Sequence, residues 1–193
     1  MSFGPSMDKS KVIGLVEGTG WNEFIELNRM AFDEKLPKNS ESYCISKAML
    51  LIKKHAPHVK WVVSFADGTQ CGDGAIYRAS NFVLTGISEN STIYEFPNGF
   101  RIANMTLTAN FDCQSVRSLC KSLGVPVKYR KMSEWKNLGA KLLDGYMLRY
   151  VYFIDKSYRE RLTVPEIPFS KIDEIGAGMY KGEKVSIESR KPE

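Results

Sequence analysis

A mixed α/β fold is what this sequence predicts, on three observations. The apolar run Trp61 to Ala66 stops at Asp67 and reads as a buried strand. Glu41 to Ala56 places Ile45, Ala48, Met49 and Ile52 at i, i+3, i+4 and i+7, which makes one apolar stripe on a helix. Upstream, Phe24 to Phe32 (FIELNRMAF) alternates as a strand does. Strand, helix, strand in that order is a β-α-β unit within a sheet flanked by helices.

The remaining elements follow in chain order. Lys11 to Val16 is strand-like between glycines. Asp33 to Ser42 is a polar loop with Pro37, and Asn39 or Ser40 can cap the helix behind it. Pro57 stops that helix. After Asp67 comes a loop with Gly68, Gly72 and Gly74, then a short helix from Ala75 to Phe82 with Tyr77 near its start. Phe82 to Gly86 and Ser91 to Ile102 read as strands, with a hairpin turn at Pro97-Asn98-Gly99. Cys113 to Leu123 and Ser133 to Leu143 read as helices. Tyr146 to Ile154 (YMLRYVYFI) reads as the strand that closes the sheet. Beyond Lys156 lie Pro165, Pro168, Gly176 and Gly178, and Lys181 to Glu193 reads as a charged tail.

Composition narrows the function classes. The chain has 193 residues, 43% of them hydrophobic, enough for a real core. No apolar stretch is long enough for a membrane span, and Met1 to Ser10 is too polar for a signal peptide. Cysteines 44, 71, 113 and 120 form no CxxC pair and only two histidines exist, which argues against structural zinc and for free thiols in a reducing cytoplasm. The net charge of +5 is compatible with a polyanion partner such as DNA and equally with an ordinary enzyme.

Several groups of residues could carry chemistry. The start of the long helix, with Lys38, Asn39, Ser40 and Ser42, offers unpaired amides and the positive dipole end to a phosphate or pyrophosphate. An ordinary capped helix has the same features. Glu26 and Arg29 stand three apart on a strand and so point to opposite faces, and one of them must face inward or into a cleft. Asp67 could orient or deprotonate a nucleophile and Tyr77 could donate a proton. A turn-capping aspartate and a core tyrosine are the alternatives. His55 and His58 read as surface residues, and nothing near Cys71 marks it as reactive. Lys121, Lys128, Arg130, Lys131, Lys136 and Lys141, interleaved with Tyr129 and Trp135, suit a nucleic-acid surface or a solvated face.

FIELNRMAF, LPKNSES, VKWVVSFADG and GAIYRASNF together resemble the phage Mom family, most clearly over Phe24 to Gly86. The resemblance implies a GNAT-like acyltransferase fold, with a mixed central sheet and flanking helices. Its N-terminal part is shortened, since only some twenty residues precede Phe24. It implies a GNAT-like domain over 1–155 and an extension or tail over 156–193. The implied activity is transfer of a carbamoylmethyl-type group from acetyl-CoA or a related acyl-CoA to the amino nitrogen of adenine in DNA. In the host bacterial cytoplasm this would hide phage DNA from restriction nucleases. Arg29, Ser42 and Asp67 match polar positions that the family uses for cofactor and activity, and Tyr77 matches a tyrosine placed near the cofactor sulfur. The pantetheine would lie along the strand Phe24 to Phe32, which carries Glu26, and the pyrophosphate would sit at the loop and helix start, Lys38 to Ser42. The family also raises iron as a cofactor, held through a His-Tyr pair, but this chain has no histidine before His55. A homodimer could complete the acceptor side. Two rivals remain: an acyltransferase acting on a small amine or protein, and a non-catalytic DNA-binding or inhibitor protein on a truncated scaffold.

Overall fold

Alternation and helical spacing sort the chain into ten strands and seven α-helices among the residues that the computed structural model describes, 1–33, 35–180 and 183–185. In order these are β1 (Ser2–Gly4), α1 (Lys9–Val12), β2 (Phe24–Arg29), α2 (Ser40–His55), β3 (Trp61–Asp67), α3 (Ala75–Ala79), β4 (Val83–Glu89), β5 (Ile93–Glu95), β6 (Arg101–Ala103), α4 (Asn104–Ala109), α5 (Gln114–Leu123), α6 (Met132–Asn137), β7 (Lys141–Leu142), β8 (Tyr146–Phe153), α7 (Ser170–Glu174), β9 (Met179–Tyr180) and β10 (Glu183–Lys184). They form two compact units, one from residues up to Ser88 and from Met147 onwards, the other from Glu89 to Tyr146. Among the described residues no helix is long and apolar enough to cross a membrane.

The first unit holds a five-stranded mixed sheet in the order β1-β2-β3-β8-β4. β2 and β3 are parallel, with Phe24 opposite Trp61, so a crossover is obligatory, and α2 supplies it. The expected β-α-β unit is thus present. Trp61, Val62 and Val63 are all fully buried, because β3 is covered on both faces. One face packs on Val12, Leu15, Val16, Phe24, Val151 and Tyr158, and the rings of Phe24 and Trp61 stack at 4.5 Å. On the other face Ser64 meets Tyr77 of α3.

Three expectations for this unit need correction. Lys11 to Val16 is not a strand but the end of α1 and a 3-10 turn over Ile13–Leu15. Its buried residues Val12, Leu15 and Val16 have helical spacing, which outweighs the local β-propensity. β2 stops at Arg29 rather than running to Phe32. β8 is interior rather than terminal: it pairs antiparallel with β3 from Trp61↔Phe153 to Asp67↔Met147 and neighbours β4 on its other side. Leu148, Tyr150 and Val151 are accordingly buried from both faces. In the expected tail, β10 pairs with β9 and the Val185 amide donates to the Gly178 carbonyl, while residues 181–182 and 186–193 lie outside the described residues.

The second unit has a three-stranded sheet, β6-β5-β7, in which β5 and β6 form the expected antiparallel hairpin. Gly99 turns it with φ of +80°. The predicted helix over Ser133 to Leu143 ends at Asn137. There Gly139, with φ of +94°, reverses the chain so that Lys141–Leu142 can pair with β5. The core is built on Tyr94, Phe96, Leu107, Val116, Leu119 and Trp135, with Phe96 edge-on to Trp135 at 5.8 Å.

Candidate functional site

The parallel ladder of β2 and β3 runs from Phe24↔Trp61 to Glu26↔Val63 and ends there, although both strands continue. A side chain takes over where the backbone pairing stops. Ser64 Oγ lies 3.1 Å from the Leu27 carbonyl and 2.9 Å from Tyr77 Oη. The serine has one proton to give. Donated to the Leu27 carbonyl, it leaves Tyr77 to donate to Ser64. A cleft of about 530 Å³ opens from this point, walled by Arg29, Glu41, Phe65, Asp67, Tyr77 and Tyr180 among others.

The glycine-rich loop shapes one side of the cleft. The Asp67 carbonyl accepts the amides of Cys71 and Gly72 at 3.0 and 3.1 Å. Its Oδ1 accepts the amide of Thr69 at 2.9 Å and also the Thr69 hydroxyl, while among the described residues Oδ2 accepts the Gln70 side-chain amide at 3.4 Å. One oxygen therefore holds the turn, the other takes the long Gln70 bond, and Asp67 as a whole lines the cleft. Asp73, only 2% exposed, is the hub behind. Its carboxylate pairs with the Arg78 guanidinium at 3.1 Å and accepts the Met179 amide at 3.2 Å. Its own amide donates to the Met179 carbonyl, and its carbonyl accepts the Tyr150 hydroxyl at 2.5 Å. Gly74 begins α3 with φ of +82°, and a Cβ there would collide with the Tyr150 ring, so only glycine fits.

Electrostatics keep the phenols neutral. Burial pushes the Tyr77 hydroxyl above its ordinary value, against the lowering bond with Ser64, and the charges of Glu26 and Glu41 raise it further. Tyr150 is pushed far higher, chiefly by burial. Burial and then the charge of Asp67 hold the Cys71 thiol up, so it stays a thiol and is a poor nucleophile. Among the described residues no group of three or more His, Cys, Asp and Glu side chains could hold a metal ion.

The structure brings Arg29, Asp67 and Tyr77 to one cleft. Arg29 is exposed on its wall rather than buried against a carboxylate. Glu26 is half-buried beside the cleft, close enough for its charge to act on Tyr77. Lys38, Asn39, Ser40 and Ser42 stand at the start of α2, where Glu41 is the residue that reaches the cleft wall. Neither expected cap operates. Asn39 has left-handed backbone, φ of 71°, with no capping bond from its side chain. The Ser40 and Ser42 hydroxyls donate backward, to the carbonyls of Pro37 and Asn39. Sequence reasoning missed Ser64, Asp73, Arg78, Tyr150 and Met179. A polar residue inside the apolar run of β3 was the available signal for Ser64, and an acid between two loop glycines was the signal for Asp73.

Comparison with known proteins adds to this geometry. The profile of the Mom protein family matches residues 1–171. Methylcarbamoylase mom of Escherichia phage Mu is 36% identical over 141 residues, which cover 72% of this chain and 52% of that protein. The chain thus spans about half the length of this relative. With a match over most of its length, the chain belongs to the Mom protein family.

Proposed function

We propose that this chain is a GNAT-like enzyme of phage DNA modification that acylates the adenine amino nitrogen: the amine attacks the thioester carbonyl of an acyl-CoA, an N–C bond forms, the C–S bond breaks and CoA leaves as the thiol. The name of the phage Mu relative, a methylcarbamoylase, supports transfer of a group attached through a carbonyl carbon. The observation that carries the reading is a neutral phenol, Tyr77, at the root of the wedge where β2 and β3 stop pairing. A wedge of this kind accepts an extended thioester chain, because a ligand can take backbone bonds that the missing partner strand leaves.

The residues fit the cofactor unevenly. Arg29 would hold a phosphate from the cleft wall, with Lys38, Asn39, Ser40 and Ser42 at the exposed helix start around the pyrophosphate. Glu41, in the first turn, is unfavourable there and pushes the anion toward Lys38. Acyl-CoA, when bound, supplies an activated acyl carbon. Backbone amides of the Glu26–Arg29 strand would steady the developing oxyanion. The Asp67 oxygen held only by the long Gln70 bond would position the acceptor amine, and Tyr77 holds the proton for the departing thiolate. An adenine amino group is buried in a duplex, so the base must be single-stranded or flipped out. Modification of this kind, in the host cytoplasm, would shield phage DNA from restriction.

Titration calorimetry with acetyl-CoA, on the wild type and on Arg29→Ala and Ser42→Ala, tests the cofactor. Micromolar binding weakened in both variants supports it, and no binding at millimolar ligand removes it. Mass spectrometry of adenines from DNA co-expressed with wild type or Tyr77→Phe tests the reaction. A modified adenine that disappears with Tyr77→Phe is expected, at a loss of roughly 10²–10⁴ in rate.

A further inference from the structure

The formal charge of this protein is concentrated in one place. Residues 121–141 contain six basic side chains and one acid, Glu134, an excess of five. The whole chain has 27 Lys+Arg against 22 Asp+Glu, the same excess. The rest of the molecule is therefore neutral in formal charge, and its entire positive balance lies in one segment of the second unit.

The fold gathers that segment around a buried arginine. Arg130 is 4% exposed. Its guanidinium donates to the carbonyls of Pro126 at 2.7 Å and Lys128 at 3.4 Å, approaches Cys120 Sγ at 3.7 Å and sits 4.9 Å from the Trp135 ring centre. The Ala140 amide in turn donates to the Trp135 carbonyl at 3.0 Å. Cys120, Arg130, Trp135 and Ala140 thus form one buried cluster. The chain neighbours of these four are Lys121, Lys131, Lys136 and Lys141, all exposed, and Lys128 is drawn in through its carbonyl. Two members of the basic and aromatic cluster, Arg130 and Trp135, therefore organise the surface from within and do not touch a partner. Among the described residues none of the five lysines joins an ion pair. The single acid is turned to the helix, since Glu134 accepts the Lys131 amide at 2.9 Å. Tyr129, 54% exposed, stands between Lys128 and Arg130.

We infer that this lysine surface of the second unit binds the phosphate backbone of DNA. Unpaired, exposed lysines fixed about one point exchange their counterions for phosphates, and an exposed tyrosine beside them can stack on an unpaired base. The inference rests on the reading of DNA as substrate and adds where the strand is held.

The test uses the full chain with Lys121→Gln, Lys128→Gln, Lys131→Gln, Lys136→Gln and Lys141→Gln combined, and a short fluorescein-labelled duplex read by anisotropy from low to moderate salt. The variant should bind about 10- to 100-fold more weakly near physiological salt. Its slope of log affinity against log salt should be shallower by about 0.9 for each phosphate that is no longer neutralised. Acetyl-CoA binding and the thermal midpoint should stay at wild-type values. Wild-type affinity and slope in the variant would overturn the inference and leave the enzymatic reading intact. Competition by polyglutamate as effective as that by unlabelled duplex would overturn it in favour of an acidic protein partner. Wild-type protein that binds no DNA would sink both. A slope that falls as expected while co-expressed DNA has unmodified adenine would keep the surface and remove the reaction.

Discussion

The cleft of the first unit and the lysine surface of the second treat charge in opposite ways. Around the cleft, Asp73 is buried and paired with Arg78, and it is bound again through the backbone of Met179. On the lysine surface the charges are exposed and unpaired, and one buried guanidinium sits beneath them. The contrast separates two uses of the same residue types. A buried pair acts over a few ångströms and decides shape, because leaving one partner alone is costly. An exposed unpaired charge decides little about shape but is felt over a Debye length of about 8–10 Å.

Substitutions can break that contrast or sharpen it. Gly74→Ala should have the largest effect, about 3 kcal/mol or more, because the new Cβ meets the Tyr150 ring at a left-handed position. Thermal denaturation of the full chain measures it, and an unchanged midpoint would mean the loop is not held as described. Asp73→Asn follows at about 2–3 kcal/mol, since Arg78 is left partly buried without its carboxylate. Urea titration gives the number.

The third expectation concerns pH. Burial raises Tyr77 and Tyr150 above the ordinary phenol value of 10.0. Below that pH both phenols are protonated in folded and unfolded chains alike, and stability does not respond to them. Above it the unfolded chain releases protons that the folded chain keeps. Stability should then fall by about 1.4 kcal/mol per pH unit for each phenol. Tyr150→Phe should halve that alkaline slope, and a flat profile to high pH would contradict the burial. Ser64→Ala should cost about 1–2 kcal/mol by orphaning the Leu27 carbonyl. Lys128→Gln comes last, within about 0.5 kcal/mol of wild type. If it destabilised the protein as much as Asp73→Asn, the division between shape-setting and surface charge would collapse.

The sequence made some of this legible and hid the rest for physical reasons. The apolar run of β3, the striped helix α2 and the proline-glycine hairpin are local patterns, so they can be read directly. α1 reads as a strand because six residues hold too little periodicity to separate a turn of helix from an extended segment. Arg29, Asp67 and Tyr77 converge because all three stand at one end of a parallel pair, a consequence of topology visible in the strand order. Asp73, Arg78, Tyr150 and Met179 stay hidden because their partners come from as far away as residue 179, and no spacing rule connects them. The limits of the second unit give no warning either. Its ends fall inside β4 and β8, with no proline- or glycine-rich linker to mark them.

That last arrangement has a consequence for how such a chain can change over time. β4 and β8 are neighbours in the sheet, and the amide of Asn90 donates to the carbonyl of Gly145 at 2.9 Å, where the chain departs and returns. The buried Asn90 side chain also ties down Leu143 and Ile93. These bonds tie the two ends of the stretch to each other. A gene could shorten, lengthen or exchange that stretch and leave the surrounding strands in register, since closing a loop of different length changes the chain entropy only slowly. The cleft and the lysine surface can then diverge at different speeds, one fixed by buried pairs and the other set by exposed charge alone.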